Sequence, residues 1–177
     1  IFAVIVEAIG WRTGDTRYDR MAPAFTRLLS AAFATTAAFG GLLAFTLFSL
    51  YPRFMSYLTG VFYKTYYVYA LLFFAETFCL YLYYYSWDWL QHRKGVHISL
   101  GILLNLIGTA IMMIYNSWAS FMISPVGIHK ETGKFIGATL QALMNPLWMP
   151  LNLHRILGNI AFGGLIGAEE FAEENIE

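Results

Sequence analysis

Between Met21 and Ala75 the chain carries no carboxylate at all, and most of that interval is made of two long apolar runs. A run of about 20 predominantly apolar residues is long enough to cross the hydrocarbon core of a bilayer as a helix. Further along, His97 to Met122 and Leu147 to Ala168 repeat the pattern, separated by short polar stretches. Few folds accept so many such runs. The pattern predicts an all-α polytopic transmembrane helix bundle, with about four to five transmembrane helices in this chain.

The expected segments follow from apolar length and breakers. Helix one ends near Gly10, and residues 11–27 are expected as a loop holding Arg12, Arg17, Arg20 and Arg27. Helix two covers about Leu28 to Tyr51 and stops at Pro52. Helix three runs from about Tyr63 to Trp87, followed by the loop "SWDWLQHRKG". Helix four ends at "SPVG". Residues 126–144 are mildly amphipathic and expected along the membrane surface. Helix five begins after the "NP" of Asn145–Pro146. No internal repeat appears, so residues 1–177 read as a single transmembrane helical domain.

Composition supports a membrane protein. Charged residues make up 12% of the chain, half of the roughly 25% usual in soluble domains. Aromatic residues make up 18% and favour bilayer interfaces. Balanced charge excludes a polybasic arm and gives no sign of nucleic-acid binding. The single cysteine, Cys79, excludes an internal disulfide, a Cys-ligated zinc or iron–sulfur centre and a c-type haem attachment motif. The chain opens at Ile1 inside the apolar run "IFAVIVEAIG", read as the end of a truncated transmembrane helix. A signal peptide would close in small residues at a cleavage site, and "GWRTGDTRYDR" does not. The sequence is therefore expected to be a fragment of a longer chain.

Lysine and arginine orient the helices. Six of them (Arg12, Arg17, Arg20, Arg27, Arg93, Lys94) fall on one expected side and four (Arg53, Lys64, Lys130, Lys134) on the other. The first side is expected to be cytoplasmic. Helix five then starts on the outer side, with His154 about two turns inside it.

Ionisable groups within apolar segments mark function by default. Glu76, in "LLFFAETFCLYLYYYSWDWL", is expected deep in the bilayer and facing the protein interior. It is expected to be protonated, hydrogen-bonded, or turned to water or a cofactor; tying two helices together is the plainer alternative. His92 and His129 fall in loops, and His97, at a helix end, reads as solvated. His154 differs, lying between "LNL" and, past Arg155, "ILGNIAFGG". Neutral imidazole ligates haem iron. Gly158, Gly163 and Gly164 lie at or near helical spacing from it, and small residues admit a macrocycle or another helix. Arg155 could snorkel to the interface and meet a haem propionate. A histidine hydrogen-bonded across a glycine packing face fits this segment equally well.

"FAETFCLYLYYYSWDWL" (Phe74–Leu90) resembles the helix of cytochrome bd quinol oxidase subunit I that contains a buried glutamate and ends in an aromatic run with Trp-Asp. "SFMISPVG" (Ser120–Gly127) is similar to that family's Met-x-x-Pro-Val-Gly helix end. "NPLWMPLNLH" resembles the start and histidine of its fifth helix. "TGDTRYDRMAPAFTRLLSAAFATTAAFGG" resembles, more loosely, its first loop and second helix. The matches keep the family's order over nearly the whole chain.

The resemblance implies a helix bundle that carries three haems near the outer face, oxidises quinol and reduces oxygen. By that resemblance His154 is the axial ligand of a low-spin haem b, Arg155 a candidate for its propionate, Glu76 the buried acid beside the high-spin pair or on the proton path, and His97 a point of proton entry. It further implies lipid, quinol or quinone, and other subunits of a respiratory complex as partners, in a bacterial-type inner membrane. The sequence departs from the family at Val68, where a second glutamate is expected, at Ile111, where a serine is expected, and at "FTLFS" (Phe45–Ser49) in place of Glu-Phe-Gln-Phe-Gly. These departures deplete the proton path and bear on oxygen reduction. The remaining haem ligands and the quinol loop would lie before Ile1 and after Glu177. A non-redox membrane scaffold or transporter subunit, using Glu76 and His154 for packing or proton movement, is the alternative.

Overall fold

The computed structural model describes residues 1–174. The elements are α1 (Phe2–Thr13), α2 (Thr16–Leu50), α3 (Pro52–Tyr85), α4 (Trp87–Leu90), a 3-10 turn at Gln91–Arg93, α5 (Lys94–Ile123), α6 (Thr139–Leu143) and α7 (Trp148–Glu174). The fold is all-α. Among the described residues the sole β pairing is an isolated bridge between Ile128 and Phe135.

Among the described residues, three stretches are long and apolar enough to cross a membrane: Arg20–Leu50, Pro52–Tyr85 and Trp87–Ile123. The sequence suggested four to five. The difference lies at the two ends: α1 has 12 residues, below the spanning length. The first turns of α7 hold Asn152, His154, Arg155 and Asn159, which dilute its apolar run. Large side chains on the spanning helices stand bare, including Phe45 at 73%, Leu71 at 71% and Phe74 at 71% exposure. Apolar surface on this scale belongs in lipid or against other protein.

Several connections are shorter than the sequence suggested. The interval 11–27 is not a loop. Gly14 closes α1 in the left-handed conformation (φ 70°), and its N–H reaches the Gly10 carbonyl at 2.9 Å. Asp15 then accepts the Arg17 N–H at 3.0 Å, a side-chain cap on the first turn of α2. The Arg17 guanidinium, 2.9 Å from the same carboxylate, holds Asp15 below the usual carboxylate range. Two residues therefore suffice for the turn. Of the arginines expected in a loop, Arg12 lies in the last turn of α1 and Arg17, Arg20 and Arg27 lie on α2. Pro52 is the first residue of α3, where its missing N–H costs nothing. The expected helix-three start at Tyr63 marks a break inside α3: Phe62 is non-helical (φ −109°, ψ 20°). The expected loop after Trp87 is itself wound into α4 and the 3-10 turn.

The chain divides into two compact units: residues 1–38, 75–107 and 157–177, and residues 39–74 and 108–156. The first has a core of Val6, Met21, Ala22 and Phe25. Here Gly101 of α5 lets α1 and α3 approach: a Cβ at this position would lie 2.5 Å from Val4 Cγ2 and 2.9 Å from the Tyr83 ring.

The second unit is built on Phe62, Trp118 and Phe121. Phe62 is fully buried and meets Phe121 edge-on at 5.2 Å. Trp118 stacks on Tyr66 at 4.4 Å and donates to Thr65 Oγ1 at 3.2 Å. Residues 126–144 fold back as turns and α6, with the Thr139 hydroxyl donating to the Val61 carbonyl at 3.1 Å. Buried Asn145 donates to Ser120 Oγ at 2.8 Å and accepts the Leu147 N–H at 3.2 Å, fixing where α7 begins.

Replacing Gly101 with valine should destabilise the first unit by about 1–3 kcal/mol, the usual range for overpacking. Thermal unfolding of the detergent-purified protein measures it. An unchanged midpoint would contradict the close approach of Val4 and Tyr83.

Candidate functional site

Two hydrogen-bonded groups of buried polar side chains lie inside the apolar segments, one in each unit. In the first unit Glu7 of α1, Tyr83 of α3 and His97 of α5 are all nearly inaccessible, at 1%, 1% and 2% exposure. The Tyr83 hydroxyl donates to Glu7 Oε2 at 2.8 Å. His97 Nδ1 lies 2.7 Å from Glu7 Oε1, and Nε2 lies 2.9 Å from the Tyr83 carbonyl oxygen. The imidazole stacks on the Tyr83 ring at 4.2 Å and meets the edge of Trp87 at 5.1 Å.

A carbonyl oxygen can only accept, so Nε2 must carry hydrogen. That assignment leaves one proton for the short Nδ1–Oε1 contact. Either imidazolium donates to carboxylate, or carboxylic acid donates to neutral imidazole. In both forms the group is neutral overall, which suits its burial.

His97 is therefore not the solvated helix-end residue its position suggested. Glu7 was not singled out in the sequence, although an acid within "IFAVIVEAIG" obeys the rule that drew attention to Glu76. Its run looked like the frayed end of a helix, and its partners come from 76 and 90 residues away. Glu76 itself is half-buried on α3, in the same unit as His97, and among the described residues no hydrogen bond joins the two.

The second place lies in the other unit, between α5 and α7. Asn116 donates to Asn152 Oδ1 at 2.8 Å, and Asn152 donates to the Trp148 carbonyl at 2.8 Å. The Trp148 indole donates to the Met113 carbonyl at 2.9 Å. Both asparagines are buried, and among the described residues Asn116 Oδ1 has no hydrogen-bond partner.

His154 and Arg155, just beyond, are exposed. The Arg155 guanidinium sits 5.8 Å from the centre of the Tyr115 ring, within cation–π range. Gly158, one turn on, has open space where a Cβ would be. No cluster of three or more metal-ligating side chains occurs among the described residues, so His154 stands as a single potential donor.

Cutting Glu7 back to alanine leaves His97 Nδ1 and the Tyr83 hydroxyl buried without their partner. Breaking a buried pair from one side costs about 3–5 kcal/mol. A large fall in thermal midpoint for Glu7→Ala, with a smaller fall for the amide Glu7→Gln, is the expected pattern. Equal midpoints for Glu7→Ala and the parent would show that the pair holds nothing together.

Comparison with curated proteins and with solved structures gives no match. The family model for cytochrome bd terminal oxidase subunit I matches residues 1–169. That match covers both polar centres and all the membrane-spanning helices, and the chain belongs to the cytochrome bd terminal oxidase subunit I family.

Proposed function

We propose that this chain is a haem-binding electron-transfer subunit of a quinol-oxidising membrane complex, with His154 as an axial ligand of a b-type haem. The observation that carries the reading is the state of His154. Its side chain is exposed on α7, no hydrogen-bond partner for the ring occurs among the described residues, and the space beside Gly158 is open. A structural histidine in an apolar helix would be expected to satisfy its ring nitrogens inside the protein. This one leaves a nitrogen lone pair free for iron and a small residue where a flat group could approach. Belonging to a haem-carrying oxidase family supports the same assignment.

When bound, the haem supplies one-electron chemistry between quinol and the next acceptor. The protein's part is ligation and charge. His154 would donate its lone pair and set the haem's distance from α7. Arg155, already near the exposed surface over Tyr115, would hold a propionate by charge-assisted bonds. Glu76 is the half-buried acid of α3 and is assigned to the haem surroundings or the proton path. His97 is assigned to proton entry. Lipid, quinol or quinone, and further respiratory subunits are the partners this reading requires, in a bacterial-type inner membrane. Residues 1–177 act in it as one transmembrane domain.

Replacing His154 with alanine should abolish the low-spin b-type optical signal while other haems remain. The measurement is the reduced-minus-oxidised spectrum, with haem content, of the protein purified in its native complex. A parent-like spectrum with unchanged haem content would overturn the ligand assignment. Arg155→Gln should leave the haem bound and shift its midpoint potential, because a cation near a propionate stabilises the oxidised and reduced states unequally. A potential identical to the parent's would remove Arg155 from the site.

A further inference from the structure

We infer that a cavity between the start of α2 and the end of α3 binds the zwitterionic headgroup of an aminophospholipid, with Arg27 on the phosphate and Asp88 on the ammonium. The inference lies wholly within the first unit and does not depend on the haem assignment.

Depth comes first. The cavity holds about 380 Å³, within the range of small-molecule sites. Arg27 and Asp88 line it and are exposed, so it opens to the surface. Asp88 stands just beyond the apolar stretch Pro52–Tyr85, and Arg27 stands two turns inside Arg20–Leu50. Two turns of helix rise about 10 Å, a depth from which an arginine side chain snorkels towards the interface. The cavity therefore sits where apolar segments give way to polar chain, at the level of lipid headgroups. Its other walls agree. Tyr84, Tyr85 and Trp87 line it, and such rings are favoured at that depth.

Charge comes second. Arg27 and Asp88 are opposite in sign and line one cavity, yet among the described residues no ion pair joins them. Gln91 Nε2 donates to Asp88 Oδ1 at 3.4 Å and steadies the carboxylate. The cavity thus presents a cation and an anion held apart. A simple anion would be repelled by Asp88 and a simple cation by Arg27. A zwitterion answers both. The guanidinium fork matches two phosphate oxygens, and a primary ammonium donates N–H to the carboxylate. A trimethylammonium carries no N–H and cannot make that bond. The headgroup that fits is therefore phosphoethanolamine.

The surroundings select a lipid over a soluble zwitterion. Leu28 and Leu29, next to Arg27 on α2, are exposed, as are Phe78 and Leu82 on α3. Acyl chains leaving the headgroup find apolar surface on both helices that form the cavity. Binding there covers side chains that water would otherwise meet, which a free phosphoethanolamine cannot do.

The test uses the full chain in its native complex, stripped of lipid in detergent. The complex is titrated with phosphatidylethanolamine, phosphatidylcholine or phosphatidylglycerol, and bound lipid is counted by native mass spectrometry. The parent should retain one more phosphatidylethanolamine than Arg27→Gln does. It should hold that lipid about tenfold more tightly than the other two, the scale of one charge-assisted hydrogen bond. Asp88→Asn should lose the preference, and Arg27→Lys, which keeps the cation, should retain it. Both side chains are exposed, so neither substitution opens the core. Equal counts in the parent and Arg27→Gln would overturn the site. Equal affinity of the parent for phosphatidylcholine and phosphatidylethanolamine would overturn the pairing of ammonium with Asp88. Displacement of the lipid by an equimolar amount of glycerophosphoethanolamine, which has the headgroup without the chains, would overturn the lipid assignment.

Discussion

Hydrocarbon offers no hydrogen bonds, so every polar side chain that enters it must be answered within the protein. This chain meets that constraint in two ways: hydroxyls such as Thr26, Ser30, Thr35 and Thr46 donate to the carbonyl one turn back on their own helix, and a few concentrated contacts join different helices. In one unit a carboxyl, a phenol and an imidazole close on each other with four heteroatoms. In the other, two asparagines and an indole tie α5 to α7. Apolar packing in a bilayer is weakly specific, since lipid tails compete on equal terms for a leucine surface. Polar contacts of this kind therefore carry much of the information about which helix faces which. Glu7 and His97 connect α1 to α5, and Tyr83 brings α3 to both.

Close approach of backbone completes what the polar contacts begin. Gly101 sits one turn beyond His97 on α5, where it meets Val4 and the Tyr83 ring. A helix with a side chain at that point would hold α1 and α3 away and lengthen the Glu7–His97 contact. The glycine and the acid–base pair are thus parts of one joint. In the second unit aromatic rings fill the same role with bulk. Phe62 leaves helical geometry and lodges against Trp118 and Phe121. The break in α3 has a packing cause, not a proline.

The membrane character, the all-α class and the positions of α5 and α7 were legible in the sequence, because length and apolarity encode them directly. The start of α3 was not: it was expected near Tyr63 and lies at Pro52, because the polar residues between Arg53 and Thr59 looked like a loop and are wound into helix. The two-residue turn at Gly14 and Asp15 was hidden by four arginines that resemble a loop. What turned them into helix was a left-handed glycine and an aspartate cap, local signals overridden by counting charge. The Glu7 site was hidden for a different reason. Its three members lie on three helices, and no periodicity within one segment reports a contact across 90 positions. His154 and Glu76 stood out because each interrupts a long apolar run. Glu7 interrupts one too, but in a run only 12 residues long the interruption reads as an end.

Rotation of α7 explains why His154 is presented as it is. An α-helix advances about 100° per residue. Asn152 is fixed toward α5 by the hydrogen bond from Asn116. Two residues later, about 200° around, His154 must point away from α5, and it is exposed. Three residues later, about 300° around, Arg155 swings back to the α5 side, where it lies over Tyr115. Six residues later, about 240° beyond α5, Gly158 shares the outward face with His154. One amide–amide contact thus sorts the neighbours. It turns the imidazole and the small residue outward together and keeps the guanidinium at their edge.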